Sequence, residues 1–129
     1  TSTGAAIAVT ETMPQLEGKF DGISMRVPTP VVSISDVTAV LNKNVTVEEL
    51  NNAFIKASKE PYYQGILGVS DEPLVSRDYI GNSNSGTVDL ELTRVVDGNL
   101  VKVCVWYDNE WGYSNRLVEL VADVAKAIK

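Results

Sequence analysis

Thr87-Val88-Asp89-Leu90-Glu91-Leu92-Thr93-Arg94-Val95-Val96, the triplet Asp97-Gly98-Asn99, and Leu100-Val101-Lys102-Val103-Cys104-Val105-Trp106-Tyr107 form the stretch whose reading decides the fold. The first run alternates, with Val88, Leu90 and Leu92 on one face and Asp89, Glu91 and Thr93 on the other, as a half-buried strand requires. Asp-Gly supplies the residue types of a tight hairpin turn. In the second run Val101, Val103, Val105 and Tyr107 oppose Leu100, Lys102, Cys104 and Trp106, so both faces are largely covered. A two-stranded antiparallel core is therefore expected at the centre of the chain.

Working outward, Asn115 to Lys129 sets Leu117, Leu120, Val121, Val124 and Ile128 on one helical stripe. Upstream, Thr46 and Glu49 form a capping box, and Val47, Leu50, Phe54 and Ala57 recur at helical spacing until Pro61. Gln64 to Val69 and Leu74 to Ile80 read as short strands, and Asn82-Ser83-Asn84-Ser85 as a loop. Phe20 to Val27 and Val31 to Leu41 read as two more strands, parted by Pro28-Thr29-Pro30. Ser2 to Met13 reads as a short helix capped by Ser2 or Thr3. The order predicts an α+β fold: a mainly antiparallel mixed sheet covered on one face by helices, ending in an amphipathic helix.

The chain has 129 residues, 44% hydrophobic and 22% charged, which suits one ordinary globular domain. Its net charge of -6 offers no footprint for nucleic acid or an anionic membrane surface. No apolar run reaches the roughly 20 residues of a membrane helix. With a single Cys there is no disulfide framework and no metal-ligand spacing, so a soluble, cytoplasmic protein without a metal is expected. The first residue is Thr1 rather than Met, which implies that the chain does not begin at an initiator codon.

Two places carry chemistry. Ser2-Thr3-Gly4 offers hydroxyls and a glycine amide at a helix start, where unpaired N–H groups and the helix dipole favour a phosphate, although capping is the plainer role for either hydroxyl. Arg26, ahead of Pro28, adds a guanidinium that can grip phosphate with two parallel hydrogen bonds. The second place is Trp106-Tyr107-Asp108-Asn109-Glu110-Trp111-Gly112-Tyr113, where the strand pattern gives way to the helix pattern. There Asn109 can both donate to and accept from another carboxamide, and Tyr113 lies close by. Without histidine no Ser/His/Asp or Cys/His arrangement can form, and no dinucleotide fingerprint is present.

Thr1-Ser2-Thr3-Gly4-Ala5-Ala6, Met25-Arg26-Val27-Pro28-Thr29-Pro30, Gly65-Ile66-Leu67-Gly68 and Trp106 through Arg116 together resemble phosphorylating glyceraldehyde-3-phosphate dehydrogenase, collinearly and over the whole chain. The resemblance is to the last portion of that enzyme's subunit. It implies an NAD-dependent oxidoreductase of glycolysis that converts glyceraldehyde 3-phosphate, NAD and inorganic phosphate to 1,3-bisphosphoglycerate. By the same resemblance Thr3, Gly4 and Arg26 contact phosphate, Asn109 holds the nicotinamide carboxamide, and Tyr113 supports it. Residues 1–113 would be part of the catalytic domain, and residues 114–129 a terminal helix packing on a nucleotide-binding domain that this chain lacks.

The family's nucleophilic Cys and catalytic His fall before Thr1, and Cys104 does not match the nucleophile. No catalytic residue is therefore expected here, and the isolated chain is expected to be inactive. The resemblance further implies a homo-oligomer, a tetramer in the family, with no nucleic-acid or membrane partner. NAD against NADP stays open. So do two other functions: a noncatalytic phosphate-binding or assembly module, and a fragment of erythrose-4-phosphate dehydrogenase.

Overall fold

A computed structural model describes residues 3–128, which fall into two compact units, Thr1–Pro30 and Val31–Lys129. The fold is α+β, as expected. In the first unit helix α1 spans Ala5–Thr12 and is followed by a single tight turn at Pro14–Leu16. None of its residues is buried. Phe20 to Val27, expected as a strand, is irregular instead. Alternation alone does not make a strand: without a ladder partner the backbone groups gain nothing from extension, and Ile23, Met25 and Val27 remain exposed.

The second unit is built on a four-stranded sheet. Strands β1 (Ser33–Val40), β2 (Leu67–Ser70), β3 (Gly86–Val96) and β4 (Leu100–Tyr107) lie in the order β1-β4-β3-β2. The β1–β4 and β4–β3 pairs are antiparallel, and β2 runs parallel to β3. The hairpin turn forms where the sequence places it, with positive φ at both Asp97 (50°) and Gly98 (79°). The core is small and centred on the hairpin: Val88, Val101, Val103 and Cys104 are buried, with Tyr79 and Val32 closing it.

Strict alternation along β3 does not persist. Between Asp89, opposite Cys104, and Arg94, opposite Lys102, the register slips through a bulge. Past Asp89, itself buried and still in register, the bulge re-aims the side chains, so Leu92 is exposed while Thr93 is buried. Asp89 bridges the irregularity: one oxygen accepts the Leu92 amide at 3.2 Å and the other accepts the Trp106 indole N–H at 3.0 Å.

Helix α2 (Val47–Ser58) has the anticipated capping box, with Thr46 Oγ1 accepting from Glu49 N at 3.1 Å and Glu49 Oε2 accepting from Thr46 N at 2.8 Å. It packs on β2 and β3, and Asn51 donates to the Leu90 carbonyl at 3.1 Å. Leu74 to Ile80, expected as a strand, contains a tight helical turn at Ser76–Tyr79. Asp78 accepts the Val75 amide at 2.8 Å and closes that turn, which swings Tyr79 inward to stack on Trp106 at 5.5 Å.

Helix α3 begins at Trp111, earlier than its apolar periodicity suggested, and runs to Ala127. Its stripe of Leu117, Leu120, Val121, Val124 and Ile128 is exposed. Among the described residues no helix is long and apolar enough to cross a membrane.

Candidate functional site

In the first unit the helix start is built differently from expectation. Gly4, not Ser2 or Thr3, is the N-cap of α1. Ser2 lies outside the described residues. Thr3 Oγ1 accepts from the Ala5 amide at 3.2 Å, so its hydroxyl is partly committed to the helix start. A Cβ added at Gly4 would meet no atom within 4 Å, so the first turn of α1 opens onto free space. Arg26 is exposed and, among the described residues, makes no salt bridge or side-chain hydrogen bond. Thr3 and Gly4 are thus adjacent, and no hydrogen bond among the described residues joins Arg26 to either.

In the second unit Asn109 and Tyr113 occupy the corner between β4 and α3. Asn109 lies in the turn, exposed, and Tyr113, one helical turn on, is 69% exposed. Neither side chain makes a hydrogen bond among the described residues. The rigid part of the corner is its neighbour Asp108, only 4% exposed. Asp108 Oδ1 accepts the amides of Glu110 at 3.0 Å and Trp111 at 2.8 Å, and Oδ2 accepts the Gly81 amide at 2.9 Å. These amides, that of Trp111 foremost and then that of Gly81, hold the carboxyl below its ordinary range against the opposing effect of burial.

Arg116 supplies a second clamp. Its Nη1 donates to the carbonyls of Gly65 at 3.1 Å and Ser83 at 3.3 Å and to Ser85 Oγ at 3.3 Å, while Glu119 receives the other side of the guanidinium. Gly112 completes the contact, because a Cβ there would lie 2.8 Å from the Asn84 carbonyl oxygen. Asp108 and Arg116 therefore fasten the first turns of α3 to the loop before β3. Sequence reasoning named neither role. The available signal was an Asp two and three residues ahead of amides that a nascent helix leaves unpaired.

The lowered value for Asp108 makes stability depend on pH. Its contribution is fully present above the ordinary carboxylate range, about 4 in an unfolded chain, and is lost as pH falls through the lower folded value. Melting temperatures of the chain and of its Asp108→Asn variant should therefore differ at pH 7 and converge in strong acid. A gap that widens on acidification would contradict this account.

Cys104 is buried in β4, and desolvation pushes its thiol up, away from the reactive thiolate form. Among the described residues no group of three His, Cys, Asp or Glu could hold a metal ion. A hollow of about 310 Å³ bounded by Thr38, Arg94, Val96, Leu100, Val101 and Lys102 lies at the opposite end of β4 from the Asp108 corner. Its surface is almost wholly apolar and lacks the convergent polar groups that orient a small ligand.

A family model described as "Glyceraldehyde 3-phosphate dehydrogenase, C-terminal domain" matches residues 1–109. The chain is 58% identical over 125 residues to glyceraldehyde-3-phosphate dehydrogenase of Priestia megaterium, covering 97% of the chain and 37% of that protein. It is 57% identical over 126 residues to glyceraldehyde-3-phosphate dehydrogenase 1 of Bacillus subtilis, covering 98% and 37%. Against the Zymomonas mobilis glyceraldehyde-3-phosphate dehydrogenase it is 51% identical over 128 residues, covering 99% and 38%. The chain therefore spans well under half the length of these relatives.

Proposed function

Because this chain belongs to the glyceraldehyde 3-phosphate dehydrogenase family and matches its C-terminal domain, we propose that it supplies the phosphate and nicotinamide contacts of a cytoplasmic enzyme. That enzyme oxidises glyceraldehyde 3-phosphate with NAD and inorganic phosphate. The observation that carries the reading is the pinned corner at Asp108, which presents Asn109 and Tyr113 outward with their side-chain polar groups unengaged among the described residues. An amide that faces outward from a rigid turn suits a carboxamide partner, since each can donate to and accept from the other. Tyr113, one helical turn away, offers an aromatic face and a hydroxyl to the same partner.

The phosphate role falls to Thr3, Gly4 and Arg26. The open first turn of α1 directs helix-start amides toward an anion, and a guanidinium with no partner among the described residues can bind one through two parallel hydrogen bonds. When bound, NAD would supply the hydride acceptor. The residues of this chain bind and orient, and the nucleophile and general base come from the portion that precedes the matched region in the relatives. The exposed stripe of α3 packs against that portion, which carries the nucleotide-binding domain, and the assembled subunits form a homo-oligomer.

The test compares the 129-residue chain with the same chain joined behind the upstream portion of the Priestia megaterium relative. Phosphate-dependent NADH formation from glyceraldehyde 3-phosphate is expected from the joined protein and absent from the chain alone. A folded joined protein with no turnover would sink the proposal. Faster turnover of erythrose 4-phosphate would redirect it to that substrate.

A further inference from the structure

Asn109 is exposed and its side chain has no hydrogen-bond partner among the described residues, so the backbone sets where the side chain leaves the turn and only its two χ angles are left to a ligand. That backbone is governed by one buried carboxylate. Asp108 Oδ1 takes the amides of Glu110 and Trp111, the two residues that follow Asn109, at 3.0 and 2.8 Å. Its Oδ2 takes the Gly81 amide, from a different loop, at 2.9 Å. One oxygen thus shapes the turn around Asn109 while the other fixes the turn to the body of the second unit. A ligand meeting an amide held this way loses little affinity to ordering the loop.

We infer that Asp108 is a positioning residue for nicotinamide recognition: its carboxylate, bridging Gly81 to the start of α3, sets the place from which Asn109 contacts the carboxamide. The inference rests on the reading of Asn109 as that contact. Asn at position 108 preserves size but has one acceptor oxygen, and its NH2 group faces an amide N–H that needs an acceptor. One arm of the bridge is lost. The turn then samples several positions, and cofactor affinity falls while the proposed phosphate contacts, which belong to the first unit, keep their own residues.

The experiment is a double-mutant cycle in the joined protein described above: unsubstituted, Asn109→Ala, Asp108→Asn, and both together. Asp108→Asn is expected to raise the KM for NAD about tenfold, equivalent to about 1.4 kcal/mol, and to leave the KM for glyceraldehyde 3-phosphate within about twofold. In the Asn109→Ala background the same change should add less than about twofold, because a group acting through Asn109 has nothing left to act on. Equal effects in both backgrounds, or parallel rises in both KM values, would overturn the inference even if Asn109→Ala weakens NAD as proposed. A KM for NAD indifferent to Asn109→Ala would remove the nicotinamide reading itself, and the inference with it. If Asp108→Asn does not fold by circular dichroism, Asp108→Ser, whose hydroxyl can still accept from Trp111, takes its place with the same expectations.

Discussion

Alanine at Arg26 is expected to cut phosphate-dependent turnover of the joined protein by about 10²- to 10⁴-fold, the loss of two charge-assisted hydrogen bonds at about 1.5–3 kcal/mol each. The melting temperature should stay where it was. Arg26 is exposed and, among the described residues, anchors no other side chain or carbonyl, so its removal leaves no orphaned partner. Arg116 is the contrast within the same chain, since its guanidinium holds two carbonyls, a hydroxyl and a carboxylate. Lysine at position 26 should recover only part of the loss, because an ammonium keeps the charge but not the planar fork. Turnover measured across a phosphate series decides the matter. An unchanged rate, or a rate that falls together with the melting temperature, would remove Arg26 from the phosphate role.

The second large effect concerns the core. Tyr79→Ala is expected to destabilise the chain by about 3–5 kcal/mol, the usual cost of emptying a buried aromatic site. The ring is 2% exposed and stacks on Trp106 with an interplanar angle of 13°, so its loss also uncovers one face of the indole that Asp89 holds. Tyr79→Phe separates packing from polarity. Burial pushes the phenol above its ordinary range, Ser70 acts in the other direction, and the hydroxyl finds no partner at full hydrogen-bond geometry among the described residues. Deleting it should therefore leave stability within about 1 kcal/mol of the original or raise it slightly. Urea titration of the two variants provides the measurement, and a Phe variant as damaged as the Ala variant would show that the hydroxyl, not the ring, matters.

Local chemistry explains which elements were legible. The Thr46/Glu49 box needs only residues three apart, and the Asp97-Gly98 turn needs only its own two dihedrals, so both stand in the structure as the residues imply. Phe20 to Val27 has the alternation of a strand but lacks a neighbouring strand, and pairing is a property of the rest of the chain. Leu74 to Ile80 looked apolar enough for a strand, yet Asp78 closes a local turn that competes with extension. Leu92 and Thr93 exchange faces because Asp89 stabilises a bulge through Trp106, a residue on another strand.

The candidate site divides along the same line. Asn109 stood out by residue type, and the likeness spread over four separated segments pointed to the family. Asp108 did not stand out, because a loop carboxylate becomes a clamp only once Gly81, far off in sequence, is brought against it. Gly4 took the capping place from Thr3 because the helix starts one residue later than the hydroxyls suggested.

The solitary thiol sits on β4, between two neighbouring strands and closed off from solvent. A maleimide or disulfide dye mixed with the folded chain can reach sulfur only when the side chains that cover Cys104 on its face of the sheet move aside. With one Cys per molecule, the labelling rate becomes a clock for uncovering of that face, unblurred by any second site.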